Sequence, residues 1–358
     1  MRLAFLLAAS VLAGASAAQA ETKTAETTIR VGWCANTVSA AASPYAVAQK
    51  MGWFAERGVK VIVTPLPGST DCVKEVATGD LPFSVPSIEP VLIIHPQGVK
   101  AKVFFTAYQS FGYGIAVPAD SPIKDFADLK GKTIGVTSMA SAGVIVARSQ
   151  LSEAGIDPAT QARIVVAGEG AQTAALLRAK QVDALSQFDT QYAMVENAGQ
   201  KLRQLPLGKM APYPGNGFLA LESTLKTRRA DAITVARGFA MGEIFAVANP
   251  EAAIRILYEV YPQTKPTGKD EATAIRDDVK VLTAREAHWS LASGGVTKWG
   301  ESNMTNYNNY IDFLVKWKIV PQKIPADQVV TNDLIDDINA SFDAKKIEAE
   351  AKAYQYKP

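Results

Sequence analysis

From Thr28 to Leu207 the chain alternates short β-branched runs with stretches of helical period, and this alternation restricts its fold more than any other feature. Strands are predicted at Ile29–Trp33, Val59–Pro65, Leu81–Val85, Ala101–Tyr108, Thr133–Thr137, Ile164–Ala167, Val182–Gln187 and Leu202–Leu205. Helices are predicted between them at Pro44–Glu56, Asp71–Gly79, Ser87–Gln97, Ala142–Ala154, Gly170–Lys180 and Thr190–Ala198. Parallel strands need a crossover connection, and an intervening helix supplies one, so the pattern implies parallel α/β sheets.

The pattern breaks at Phe111–Leu129, where Gly112–Val117 reads as an extended segment ahead of Pro118–Pro122. A second extended stretch, Asn216–Leu221, follows the Pro/Gly-rich Ala211–Gly215. Two such crossings around a self-contained α/β segment imply one lobe inserted into another. Lobe 1 is assigned to residues 21–112 and 221–342, and lobe 2 to residues 113–220. Beyond Thr224 the pattern is helical, over Asp231–Ala248, Pro250–Tyr261, Glu271–Leu291, Asn303–Lys316 and Asn332–Phe342. Residues 343–358 read as a polar C-terminal tail, helical or loose.

The chain opens with Met1-Arg2, an apolar run Leu3–Ala13 and the small residues Ala18-Gln19-Ala20, the form of a secretory signal peptide cleaved after Ala20. The run is too short to cross a bilayer. Export to the periplasm is therefore expected for the mature protein. There are 37 basic and 35 acidic side chains, and the leader removes one of the former. That near-neutral balance gives no footprint for nucleic acid, and a monomer is expected. Cys34 and Cys72 form an even pair in an oxidising compartment. Either a disulfide or two small buried thiols accounts for them.

Enzyme signatures are missing from the sequence: there is no Gly-x-Ser-x-Gly elbow, no His-Glu-x-x-His pair and no P-loop. His95 and His288 are the only histidines, at a helix end and inside an amphipathic helix. No metal and no cofactor are expected.

Six motifs then carry a resemblance. Pro44-Tyr45-Ala46-Val47-Ala48-Gln49-Lys50-Met51-Gly52-Trp53-Phe54 resembles the "P-x-x-V-A-x-x-x-G-x-F" first helix of periplasmic solute-binding proteins of the nitrate/sulfonate/taurine/thiamine-pyrimidine type. Arg57–Val61 is similar to that family's second strand, and Pro67-Gly68-Ser69-Thr70 to its Gly-Ser turn. Ala77–Phe83 resembles "L-x-x-G-x-x-D-F", with Pro82 at the usual Asp. Asp128–Val136 resembles "D-L-K-G-K-x-I-G-V". Ala174–Ala184 resembles "A-L-x-x-G-x-V-D-A", with Lys180 at the usual Gly. The resemblance implies a type II periplasmic binding protein: two α/β lobes joined by two hinge crossings, a helical C-terminal region and a ligand cleft between the lobes. It also implies a membrane ABC permease as partner, capturing a small-molecule solute by lobe closure.

Open α/β sheets bind ligands beyond the carboxyl ends of their strands. The loops there supply Trp33, Asn36 and Thr37, then Ser43 and Tyr45. They also supply Ser69, Thr70, Ser87 and Glu89. In lobe 2 the turn Ser138-Met139-Ala140-Ser141-Ala142 offers free amides to an oxyanion, or merely a Ser-capped helix. Gln187, Phe188 and Asp189 end the next strand, and Tyr213 and Asn216 stand at the second crossing. Aromatic candidates for a flat ligand are Trp33, Tyr45, Phe83, Phe111, Tyr113 and Tyr213.

These loops hold no Lys or Arg, whereas Asp71, Glu89 and Asp189 are present. Coulomb repulsion then disfavours a small hard anion. A zwitterion (taurine-like sulfonates included), an amine-bearing heterocycle or an aromatic solute fits better, its polar or cationic end facing Glu89 or Asp189. Two alternatives share this cleft. One is an exported sensory receptor; the other is an enzyme of thiamine-pyrimidine synthesis type, whose cysteine-rich motif this chain lacks.

Overall fold

The structure is a computed structural model that describes residues 26–357. The signal peptide assigned to residues 1–20 lies outside the described residues. Ten strands build two five-stranded sheets. The first contains β1 (Thr27–Trp33), β2 (Val59–Pro65), β3 (Phe83–Ser84), β4 (Ala101–Thr106) and β10 (Gly217–Leu221), in the order β2-β1-β3-β10-β4. The second contains β5 (Tyr113–Pro118), β6 (Thr133–Val136), β7 (Arg163–Val166), β8 (Ala184–Phe188) and β9 (Leu202–Gln204), in the order β7-β6-β8-β5-β9.

Within the first sheet β1 runs parallel to β2 and β3, while β10 is antiparallel to β3 and β4. Within the second, β6 is parallel to β7 and β8, while β5 is antiparallel to β8 and β9. The two extended segments read from the sequence are thus β5 and β10, paired inside the sheets rather than free crossings. The chain changes sheet just before each of them, along 107–112 and 205–216. The two connections lie side by side: the amides of Ala107 and Tyr108 donate to the Asn216 carbonyl (3.1 and 3.0 Å), and the Gly215 amide donates to the Tyr108 carbonyl (2.9 Å).

Helices α1 (Ser43–Lys50), α2 (Ser69–Thr78) and α3 (Glu89–Ile94) belong to the first lobe. The predicted helix Pro44–Glu56 ends early because Gly52 takes a left-handed φ of 77°. Helices α4 (Ala142–Glu153), α5 (Gly170–Arg178) and α6 (Asp189–Asn197) cover the second sheet. The C-terminal third adds α7 (Glu222–Thr227), α8 (Arg229–Ala248), α9 (Pro250–Val260), α10 (Glu271–Glu286) and α11 (Leu291–Gly294). It continues with α12 (Met304–Lys316), α13 (Ala326–Val329), α14 (Ile335–Asn339) and α15 (Ala344–Ala353).

Most residues of α8 from Ala232 to Ala246 are buried, as expected of a helix that is apolar nearly all round. It packs on α1 and anchors the core of the first lobe, an aromatic cluster of Tyr45, Phe104, Phe105, Phe218 and Phe239. The C-terminal segment is not a loose tail. Ile347 and Ala351 of α15 are buried, and Asn249 Nδ2 donates to the Ala351 and Tyr354 carbonyls.

Lys180, where the family pattern has Gly, sits at φ 55°, just past the end of α5. A side chain in the left-handed region costs about 1–2 kcal/mol, and glycine gives part of that back by loosening the unfolded chain. Lys180→Gly should therefore raise stability by up to about 1 kcal/mol in a denaturant titration; a loss of stability would contradict this account of the turn.

Candidate functional site

The carboxyl ends of the parallel strands of the two sheets face each other across a small cavity of about 30 Å³. Trp33, Cys34, Tyr108, Asn216 and Arg285 line it from the first lobe and its connections; Tyr113, Phe188, Thr190 and Gln191 line it from the second. Sites that bury a drug-sized solute measure about 300–1,000 Å³, so a solute with several rings requires the lobes to part.

Direct bonds draw the lobes together at the rim. Glu169, just ahead of α5, accepts from the Asn36 amide (3.3 Å) and from the Thr37 hydroxyl. Ser138 Oγ donates to the Pro67 carbonyl (2.7 Å), and the Thr70 amide to the Ala140 carbonyl (3.2 Å). Gly68 presses so closely on this turn that a Cβ there would stand 2.4 Å from the Ala140 oxygen.

Nearer the connections, the lobes are joined by charge. Asp189 follows β8 directly and begins α6; Arg285 projects from α10. Their carboxylate and guanidinium meet at 2.5 Å with both side chains 6% exposed. The guanidinium also lies 3.9 Å from the centroid of the Tyr108 ring. Burial disfavours the Arg285 charge, but the facing Asp189 carboxylate, together with Tyr108, Tyr113 and Glu243, outweighs it and raises the guanidinium pKa. His288 Nδ1 shares a hydrogen with Ser110 Oγ (2.9 Å), while its Nε2 lies 3.8 Å from Asp189 Oδ2. Burial lowers the His288 pKa, which favours the neutral ring.

Several buried polar atoms make no hydrogen bond within the protein: Arg285 Nε, Asp189 Oδ2, Thr190 Oγ1 and Asn216 Oδ1. Native interiors satisfy nearly all such atoms, and three of these four residues, Arg285, Thr190 and Asn216, line the one cavity, which marks a place built to meet a polar partner. Two further buried carboxyls, neither among the residues lining the cavity, also carry an unpaired oxygen. Glu89 accepts from the Tyr310 hydroxyl and leaves Oε2 unpaired; Glu243 of α8 leaves Oε1 unpaired. Burial pushes both pKa values up.

Of the residues singled out from sequence, Trp33, Thr37, Tyr113, Phe188 and Asn216 line the cavity. Asn36, Thr70, Ser138 and Ala140 make the rim bonds, and Asp189 makes the ion pair. Ser141 caps α4 through the Gly143 amide (3.1 Å), beside the buried Ala142. Ser69 Oγ accepts from the Ser87 amide (3.1 Å), and Gln187 Nε2 donates to the Gly168 carbonyl (3.0 Å). Tyr45 is not at the cleft: its ring lies 4.9 Å from Phe239 in the first-lobe core, with Ser43 buried nearby in α1. Phe83 packs on Phe104, and Tyr213 stacks on Tyr310 at 4.9 Å. Cys34 and Cys72 are joined by a disulfide that ties a cavity-lining loop to α2.

The loops named from the sequence hold no basic residue, and the one basic group lining the cavity, Arg285, reaches it from outside them. It comes from the helical C-terminal third, where nothing local distinguishes it from a surface arginine. Tyr108 and Thr190 also line the cavity without having been singled out. Among the described residues no group of His, Cys, Asp or Glu could hold a metal ion, and no helix is long and apolar enough to cross a membrane.

Comparison with known proteins places these features in a family. A family model described as "NMT1/THI5 like" matches residues 39–253. The riboflavin-binding protein RibY of Chloroflexus aurantiacus is 23% identical over 227 residues, which span 62% of this chain and 64% of that protein. Among solved structures, the alkanesulfonate-binding protein SsuA of Xanthomonas axonopodis pv. citri superposes with a TM-score of 0.62 at 18% identity, covering 85% of this chain and 98% of that one. The periplasmic nitrate-binding protein NrtA of Synechocystis PCC 6803 gives 0.61 at 14% identity, covering 92% and 99%. The desulfurization enzyme DSZB gives 0.54 at 13%, covering 87% and 98%. These likenesses establish the two-lobed binding-protein fold.

Gly68→Ala should obstruct the closed rim while leaving both lobes folded: the Thr70 amide should exchange with deuterium faster, with the melting temperature nearly unchanged. Unaltered exchange at Thr70 would remove Gly68 from the closing contact. Glu243 has a raised folded-state pKa, so wild-type stability is fully present below the unfolded value and declines as pH rises above it. Glu243→Gln should thus match the wild type near pH 4 and exceed it increasingly toward pH 8 in urea unfolding.

Proposed function

The chain belongs to the NMT1/THI5-like family, and from that premise we propose that it is the periplasmic solute-binding component of an ABC importer. It captures a small, flat organic solute between its lobes and presents the closed form to a membrane permease. It acts as a monomer and by binding alone. The observation that carries this reading is the cavity itself, where aromatic walls from both lobes surround polar atoms with no protein partner.

The mechanism is a shift in population. A solute resting on one lobe gains its remaining contacts only when the other arrives, so it stabilises the closed form by that difference. The rim bonds at Glu169, Pro67 and Ala140 then hold the closed shape, while the connections along 107–112 and 205–216 absorb the motion.

Charge narrows the solute. Asp189 neutralises Arg285, so the cleft carries no free cation to compensate a bare anion. A neutral or zwitterionic aromatic solute fits these walls, in keeping with the riboflavin-binding description of RibY, whereas Glu89, expected from the sequence to face a cationic end, is fully buried and not among the residues lining the cavity. Catalysis of a thiol type has no support here, because both cysteines are bound in the disulfide and none is free among the described residues.

Native mass spectrometry of the exported protein, followed by thermal shift with aromatic, sulfonate and pyrimidine solutes, tests the reading. A ligand at about 100 times its dissociation constant adds about 2.7 kcal/mol of stability. A bound mass or a clear shift is expected. Turnover of a solute by the purified protein would contradict the reading. Asp189→Ala would leave the Arg285 charge unpaired, costing about 3–5 kcal/mol, and should strengthen taurine binding about tenfold or more. Unchanged taurine affinity in that variant would remove the charge argument.

A further inference from the structure

The polar edge of the solute is written in three side chains of the cavity, and this inference rests on the function proposed above. Arg285, Asn216 and Thr190 come from α10, the second connection and α6, and they are 5%, 7% and 1% exposed. All three line the same cavity, and each carries an atom without a protein partner.

Their chemical senses differ. The guanidinium is donor only; one Nη2 hydrogen goes to Asp189 and Nε is left over. The Asn216 amide has its orientation set by chemistry. The Val85 carbonyl can only accept, so the group 2.8 Å from it must be the NH₂, and Oδ1 is left as a pure acceptor. The Thr190 hydroxyl serves either way. The residues lining the cavity therefore carry an unpaired donor, an unpaired acceptor and an adaptable hydroxyl.

Ligand classes separate on that pattern. A sulfonate or nitrate carries acceptors only; it would leave Asn216 Oδ1 unpaired and facing negative oxygens. An ammonium carries donors only and would face the guanidinium. A C(=O)–N–H edge supplies one of each, side by side and uncharged, which also suits the neutral Asp189–Arg285 pair. Flat rings bearing such an edge fit the aromatic walls of Trp33, Tyr108, Tyr113 and Phe188.

We propose that the solute is a flat heterocycle with a lactam or imide edge, its carbonyl accepting from Arg285 and its N–H donating to Asn216 Oδ1. Thr190 bonds whichever neighbouring group the ring offers. Arg285 is then the residue that sets specificity, with Asp189 and Tyr108 holding its fork in place.

The test uses the full exported chain and four probes: uracil and lumichrome as small and large imides, with taurine and MOPS as sulfonates. Titration by calorimetry should detect at least one imide, and methylating its imide nitrogen should weaken binding about tenfold or more by removing the N–H. Arg285→Lys keeps the charge opposite Asp189 but loses the planar fork; it should weaken the same imide about tenfold with little change in melting temperature. Equal binding of the methylated imide, or full affinity in Arg285→Lys, would overturn the assignment. Binding of taurine or MOPS with neither imide would overturn it while leaving the solute-binding function intact. Binding of none of the four would count against both.

Discussion

The buried ion pair between Asp189 and Arg285 is the interaction on which the arrangement of the site depends. Each group belongs to a different lobe, and each is almost wholly removed from water. An isolated buried charge is penalised by several kcal/mol, so neither side chain is tolerable there without the other. The pair thereby fixes the β8–α6 junction of lobe 2 against α10 of lobe 1. Asn197 Nδ2 repeats the same join by donating to the Asp277 carbonyl at 2.8 Å. With the guanidinium pinned between a carboxylate and the Tyr108 ring, its Nε is left without a protein partner at a residue that lines the cavity.

That constraint gives a widely shared frame its particular chemistry. The two-lobed fold hosts sulfonate-binding and nitrate-binding proteins and the desulfurization enzyme DSZB alike, so architecture alone does not select a ligand. Selection comes from a few side chains on the strand ends and from one helix of the C-terminal third. The disulfide contributes by fastening the loop after β1 to α2, whose first turn carries Thr70 into the rim.

Much of the fold was legible because it is written in local pattern. β2 falls at Val59–Pro65 as read, its alternating valines Val59 and Val61 facing the core and Gly58 turning the chain into it. Lys180 stands out both as a departure from a motif and as a residue in the left-handed region. Other features lie beyond local pattern. Tyr45 and Trp33 both sit near a strand end as exposed-looking aromatics, yet one enters the core and the other the cavity, a choice made by α8 far along the chain. Arg285 is invisible in the same way, since its place depends on α10 packing against α6. The Cys34–Cys72 bond needed a Cα separation of 5.8 Å that no spacing in the sequence conveys.

The central claim is that the cleft closes around a solute. Spin labels at Ile62 on lobe 1 and Val166 on lobe 2, both exposed, would report the distance between lobes by double electron–electron resonance. The protein stripped by unfolding and refolding should show a broad distribution including longer distances, and adding back the displaced solute fraction should collapse it to the single closed distance of this structure. One unchanged distance in both states would contradict capture by closure.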